Sequence, residues 1–67
     1  MLLKINGQNV MIPEHIRTVE QLLEHLNIAH KLLVVERNKS ILSKNSYSET
    51  VLFNGDQIEI VTFVGGG

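Results

Sequence analysis

The sequence predicts an α+β fold, a mixed sheet of four to five strands with one main helix packed on one face. Three observations predict it. Alternating apolar residues flank the turn pair Asn6-Gly7 and resume after Asn54-Gly55. A single stretch, Val19 to Leu26, repeats its apolar residues at helical spacing. Between them, Leu32 to Val35 is apolar at every position, as in a strand.

Met1 to Ile12 reads as a hairpin. Leu3 and Ile5 alternate with Lys4 and Asn6, Asn6-Gly7 supplies the positive φ angles of a tight turn, and Val10 and Ile12 resume the alternation. Pro13 lacks an amide hydrogen and ends the pairing near Ile12. Val19, Leu22, Leu23 and Leu26 then follow the i, i+3, i+4, i+7 rule of one helix face. Thr18 with Gln21 three residues on is a capping-box signature, and Asn27 can take the left-handed conformation that stops the helix. Leu32 to Arg37 is expected as a central strand covered at least partly on both faces. Asn38-Lys39-Ser40 reads as a turn into a short strand around Ile41 and Leu42. Ser43 to Thr50 reads as an ordered loop or one helical turn, with Tyr47 packing as a lid on one end of the core. After the Asn54-Gly55-Asp56 turn, Gln57 to Val64 gives the longest strand signal, with Ile58, Ile60, Thr62 and Val64 on one parity and Glu59, Val61 and Phe63 on the other.

Size and composition exclude much. A chain of 67 residues is one small domain, with about 3 to 10 kcal/mol of net stability to expect. It can hardly build both a core and a walled catalytic pocket of about 300 Å³ or more. With 43% hydrophobic and 19% charged residues the chain is expected to fold, and without cysteine it has no disulfide, thiolate metal site or thiol nucleophile. Lys+Arg 6 against Asp+Glu 7 gives a net charge of -1, and the cations are scattered, which argues against nucleic acid. No run is long and apolar enough for a membrane span, and the opening MLLKING does not resemble a signal peptide. The expectation is a cytoplasmic protein with protein partners.

Few side chains offer chemistry. His15, His25 and His30 lack the i, i+3 or i+4 spacing of a helical metal pair, so no metal site is expected. Ser43, Ser46 and Ser48 have no nucleophile context. Asp56 is explained by turn chemistry beside Asn54 and Gly55. No catalytic residue is assigned.

Two features remain. Val61 and Phe63 lie on the parity opposite Ile58 and Ile60, and one helix cannot cover both sets. The less covered set is either a docking surface or ordinary scattered exposure. The sequence then ends on Gly65-Gly66-Gly67. Such an ending suits a frayed tail or a linker. It also suits a reactive end, because glycines can pass through a narrow channel and carry an ionised α-carboxylate to a partner's active site.

The helix opening T-V-E-Q-L-L, the stretches V-V-E-R-N-K-S-I-L-S-K and T-V-L-F-N-G-D-Q-I-E-I-V, and the final V-G-G-G resemble the thiamine-biosynthesis sulfur carrier family, ThiS, over nearly the whole length. The resemblance implies a ubiquitin-like β-grasp domain at 1–64 and a flexible glycine tail at 65–67. It implies a carrier rather than an enzyme. An E1-like adenylating partner of the ThiF type would use ATP to adenylate Gly67, and this chain would bind no cofactor itself. A sulfur donor such as a cysteine desulfurase would convert the carboxylate to a thiocarboxylate, and a ThiG-type thiazole synthase would take the sulfur. Gly66 and Gly65 would carry the tail into partner active sites, and Val61 or Phe63 would dock to the partners. Two alternatives stand beside this reading: the small subunit of molybdopterin synthase, whose members are typically longer, and a β-grasp binding module without a carrier role.

Overall fold

A computed structural model of the chain describes residues 1–63. In chain order the elements are β1 (Leu2–Ile5), β2 (Gln8–Met11), α1 (Val19–His25), β3 (Leu33–Arg37), β4 (Ser40–Ile41), a 3-10 turn (Lys44–Ser46) and β5 (Gln57–Thr62). Val64, expected in the last strand, lies outside the described residues, as do Gly65, Gly66, Gly67 and the expected boundary between 1–64 and 65–67. Among the described residues no helix is long and apolar enough to cross a membrane.

The five strands form one mixed sheet in the order β2-β1-β5-β3-β4. The hairpin turn has Asn6 at φ 49 and Gly7 at φ 84, the paired positive angles that a two-residue connection needs. It sets Leu3 opposite Val10 and Ile5 opposite Gln8. β5 runs parallel to β1 and antiparallel to β3, so the last strand in sequence is the middle strand in space. β3 lies next to the edge strand β4. The expectation of a central strand covered at least partly on both faces fits this interior strand: Val35 is fully buried under the helix and Val34 is half-buried on the other face, whereas Leu32, just before the strand, is exposed. Apolar residues on both parities here mean one core row and one surface row.

α1 is short because its ends are closed by side chains and a left-handed residue. Thr18 Oγ1 accepts from Gln21 N–H at 3.2 Å and Gln21 Oε1 accepts from Thr18 N–H at 3.2 Å, the reciprocal bonds of the capping box. The next free donors, Val19 N–H and Glu20 N–H, bond to Thr50 O and Tyr47 O, both at 3.0 Å. The polar loop is thereby stitched to the start of the helix. Asn27 at φ 61 turns the chain out of the helix after Leu26.

The core lies between α1 and one face of the sheet. Val19, Leu22 and Leu23 from the helix meet Leu3, Val35, Ile58 and Ile60 from the strands, with Ile12, Ile16 and Leu52 closing the sides. Tyr47 packs half-buried against this cluster, as its predicted lid role requires.

Candidate functional site

The candidate site is the end of β5 and the chain that follows it, so its geometry begins with how β5 is held. Hydrogen bonds fix the strand on both sides. On the β1 side, Lys4 N–H donates to Asp56 O and Asn6 N–H to Ile58 O, each at 2.9 Å. β1 then leaves the sheet at the Asn6-Gly7 turn, which would strand the next backbone groups of β5. The Asn6 side chain takes over: its Oδ1 accepts from Ile60 N–H at 2.7 Å and its Nδ2 donates to Ile60 O at 3.1 Å. A side-chain amide thus supplies one more rung of a strand that has ended. On the β3 side the pairing runs further, to Phe63 N–H on Leu32 O at 2.9 Å. The strand is therefore registered up to Phe63, four residues before Gly67.

The start of β5 is anchored by a buried charge. Asp56 is 7% exposed, and its Oδ2 accepts from Phe53 N–H at 2.9 Å and from Arg37 Nε at 3.0 Å, while its Oδ1 accepts from Asn38 Nδ2 at 3.1 Å. Asn38 in turn accepts from Gln57 N–H at 2.9 Å, and the Arg37 guanidinium lies 5.6 Å from the centre of the Phe53 ring. Burial pulls the Asp56 carboxyl up, but the bonds from Phe53, Asn38 and Arg37, with the charge of Arg37, together hold it below its usual value. The sequence identified the turn role of Asp56 but not its partners 18 and 19 residues upstream. The left-handed Asn38 and Lys39, at φ 49 and 71, were the available signal: they turn β3 into β4 beside the Asp56 turn.

Of the predicted docking residues, Val61 is 53% exposed and Phe63 is 51% exposed. Val61 pairs with Val34 on β3, on the sheet face turned away from α1. Sequence reasoning did not single out two further members of the exposed apolar set: Leu32, read within a strand covered at least partly on both faces, and Ile41, read within a short strand; they are 73% and 72% exposed. The other predicted site residues, Gly65, Gly66 and Gly67, lie outside the described residues.

No catalytic constellation stands elsewhere in the described part. A surface cleft of about 440 Å³ borders Met1, Ile16, Arg17, Val51 and Phe53, and its one carboxylate, Glu14, is held by the Met1 ammonium at 3.2 Å. His15, His25 and His30 are all exposed, and no three His, Asp or Glu side chains converge among the described residues.

The ThiS family model matches residues 3–67, which takes in β1 from Leu3, the other four strands, the helix and the terminal glycines. The chain belongs to the ThiS family. Among curated proteins it is 42% identical over 66 residues to the sulfur carrier protein ThiS of Bacillus subtilis, covering 98% of this chain and 100% of that one. It is also 42% identical over 67 residues to a thiazole synthase of Paramagnetospirillum magneticum, where the match spans all of this chain but 20% of that protein. Among solved structures, the crystal structure of the thiamine biosynthesis protein ThiS from Geobacter metallireducens superposes with a TM-score of 0.83 at 30% identity, covering 100% of both chains. The fold is accordingly the ubiquitin-like β-grasp of ThiS proteins. The ThiS-like segment within a thiazole synthase also shows this domain type joined to such an enzyme in one polypeptide.

Proposed function

We propose that this chain is the sulfur carrier of thiazole formation in thiamine biosynthesis, with Gly67 as its reactive residue. The observation that carries the reading is a family match that runs through a complete β-grasp body to Gly67 itself. The full-length likeness to a ThiS sulfur carrier and the likeness to a segment of thiazole synthase support the same assignment over the molybdopterin and simple binding alternatives.

The chemistry needs little from the body. An ionised carboxylate on Gly67 attacks the α-phosphorus of ATP in an E1-like, ThiF-type partner, giving an acyl adenylate and pyrophosphate. The outer sulfur of a persulfide, supplied by a donor such as a cysteine desulfurase, displaces AMP, and a thiol then cleaves the S–S bond to leave a thiocarboxylate. That sulfur, a softer nucleophile than oxygen, passes to a ThiG-type thiazole synthase. The ATP belongs to the activating partner; this chain acts as a cosubstrate. Gly65 and Gly66, lacking side chains, give the last residues access to confined active sites. Val61 and Phe63 contribute to docking. The cytoplasm, where ATP and reduced thiols are available, is the compartment that suits these reactions.

Removal of Gly67 tests the assignment. The shortened chain is expected to keep the thermal unfolding midpoint of the intact one, because the body is complete without it, and to fail to support growth of a carrier-deficient strain without thiazole. Growth equal to that given by the intact chain would refute the role of Gly67.

A further inference from the structure

The register of β3, β4 and β5 arranges the open face of the sheet in rows. Glu36 lies between Ile41 on β4 and Glu59 on β5, so two carboxylates face each other across adjacent strands. Glu36 and Glu59 exchange backbone hydrogen bonds in the same alternation that joins Asn38 to Gln57 and Phe63 to Leu32, which sets their Cα atoms about 5.5 Å apart. Like charges placed directly opposite each other destabilise a sheet. Among the described residues neither carboxylate enters an ion pair or a side-chain hydrogen bond: the two ion pairs are Met1 with Glu14 and Arg37 with Asp56. Lys4 shares this face but stands beside Gln57.

The next row is Val34 with Val61 and the one after it Leu32 with Phe63, the residue of these rows nearest in sequence to Gly67. Four residues span at most about 14 Å, so a partner that receives Gly67 must reach within that distance of Phe63. The exposed apolar rows are the nearest surface such a partner can use, and covering them would take Glu36, already half-buried, and Glu59 out of water. Two desolvated carboxylates side by side are neutralised either by a proton or by a cation from the partner, and near neutral pH the cation is the less costly route. A second copy of this chain would bring the same two carboxylates to the same face, so it does not fit.

We infer that the protein seated on this face carries a cationic side chain, arginine for its two-pronged geometry, set between Glu36 and Glu59 and ringed by apolar residues that meet Ile41, Val34 and Val61. The occupant is the thiazole synthase of the proposed function, on which this inference rests. The acid pair is then held in the free protein against its own repulsion and satisfied in the complex.

The test is calorimetric titration of the matched thiazole synthase with the full chain and its E36Q/E59Q variant at low and at physiological salt, with thermal unfolding of both chains. The variant is expected to unfold at the same or a higher temperature, to bind roughly tenfold or more weakly, and to lose most of the salt dependence of the parent. An E59K variant, changed only at an exposed position, should bind more weakly still. Binding of both variants within twofold of the parent overturns the inference and leaves the carrier reading standing. Failure of the parent chain to bind removes thiazole synthase as a docking partner, and this inference with it.

Discussion

On β5, Ile58 and Ile60 face the helix and are buried, whereas Glu59 and Val61, their neighbours in sequence, face away and are exposed. The same contrast divides β3, where Val35 is fully buried and Val34 is not. Both faces carry aliphatic residues, so hydrophobicity alone does not separate them. Cover separates them: α1 and the flanking residues Ile12, Ile16 and Leu52 enclose one face, and nothing among the described residues encloses the other. One strand thus serves the fold on one parity and presents a surface on the other, immediately before the glycines.

If that division is real, substitutions on the two faces should differ sharply in their effects. The largest is expected inside. Leu22→Ala truncates a fully buried side chain beneath the sheet and should cost about 2–5 kcal/mol, much of the stability a domain of this size has. Urea unfolding followed by circular dichroism checks this, and a loss under about 1 kcal/mol would mean that the helix packs loosely on the sheet.

Next comes the anchor at the start of β5. Asp56→Asn keeps the shape but removes the charge that Arg37, Asn38 and Phe53 converge on, and should cost about 1–3 kcal/mol at neutral pH. The pH dependence follows from the direction of the shift. Because the folded Asp56 carboxyl lies below its unfolded value, its contribution is complete above about pH 4 and is lost as pH falls through the folded pKa. Asp56→Asn should therefore flatten the acid limb of the stability profile below about pH 4, and an unchanged limb would show that another carboxylate carries it.

The smallest effect on folding is expected outside. Val61→Asp and Phe63→Asp each change a side chain about half exposed and should shift stability by no more than about 0.5 kcal/mol. Each should nevertheless weaken binding to thiazole synthase, measured by titration. Unchanged affinity would remove these residues from the interface, and a large loss of stability would mean that this face is part of the core.

The contrast also explains what could be read in the sequence. Features set by neighbouring residues were legible: the Asn6-Gly7 hairpin, the Thr18–Gln21 capping box, the left-handed Asn27 and the alternation along β5 all follow from local chemistry. Strand order was less accessible. The run Leu32 to Val35 indicated an interior strand, but a run of aliphatic residues does not record which of them lack cover, and that depends on β5 inserting between β1 and β3. The Asp56 network and the Asn6 rung on Ile60 were hidden for the same reason, since both join residues that only the closed sheet brings together. The exposure of Val61 and Phe63 was anticipated from parity, while that of Leu32 and Ile41 needed the register. Gly67 was read from its place in the sequence and from family resemblance rather than from packing.

Whether Gly67 carries sulfur is tested by the mass of the intact chain after incubation with the matched activating enzyme, ATP and a persulfide source. The expected result is a gain equal to exchange of one oxygen for sulfur, localised to Gly67 by fragmentation and dependent on ATP. A chain that keeps its original mass in the presence of partners shown to be active on another carrier would contradict it.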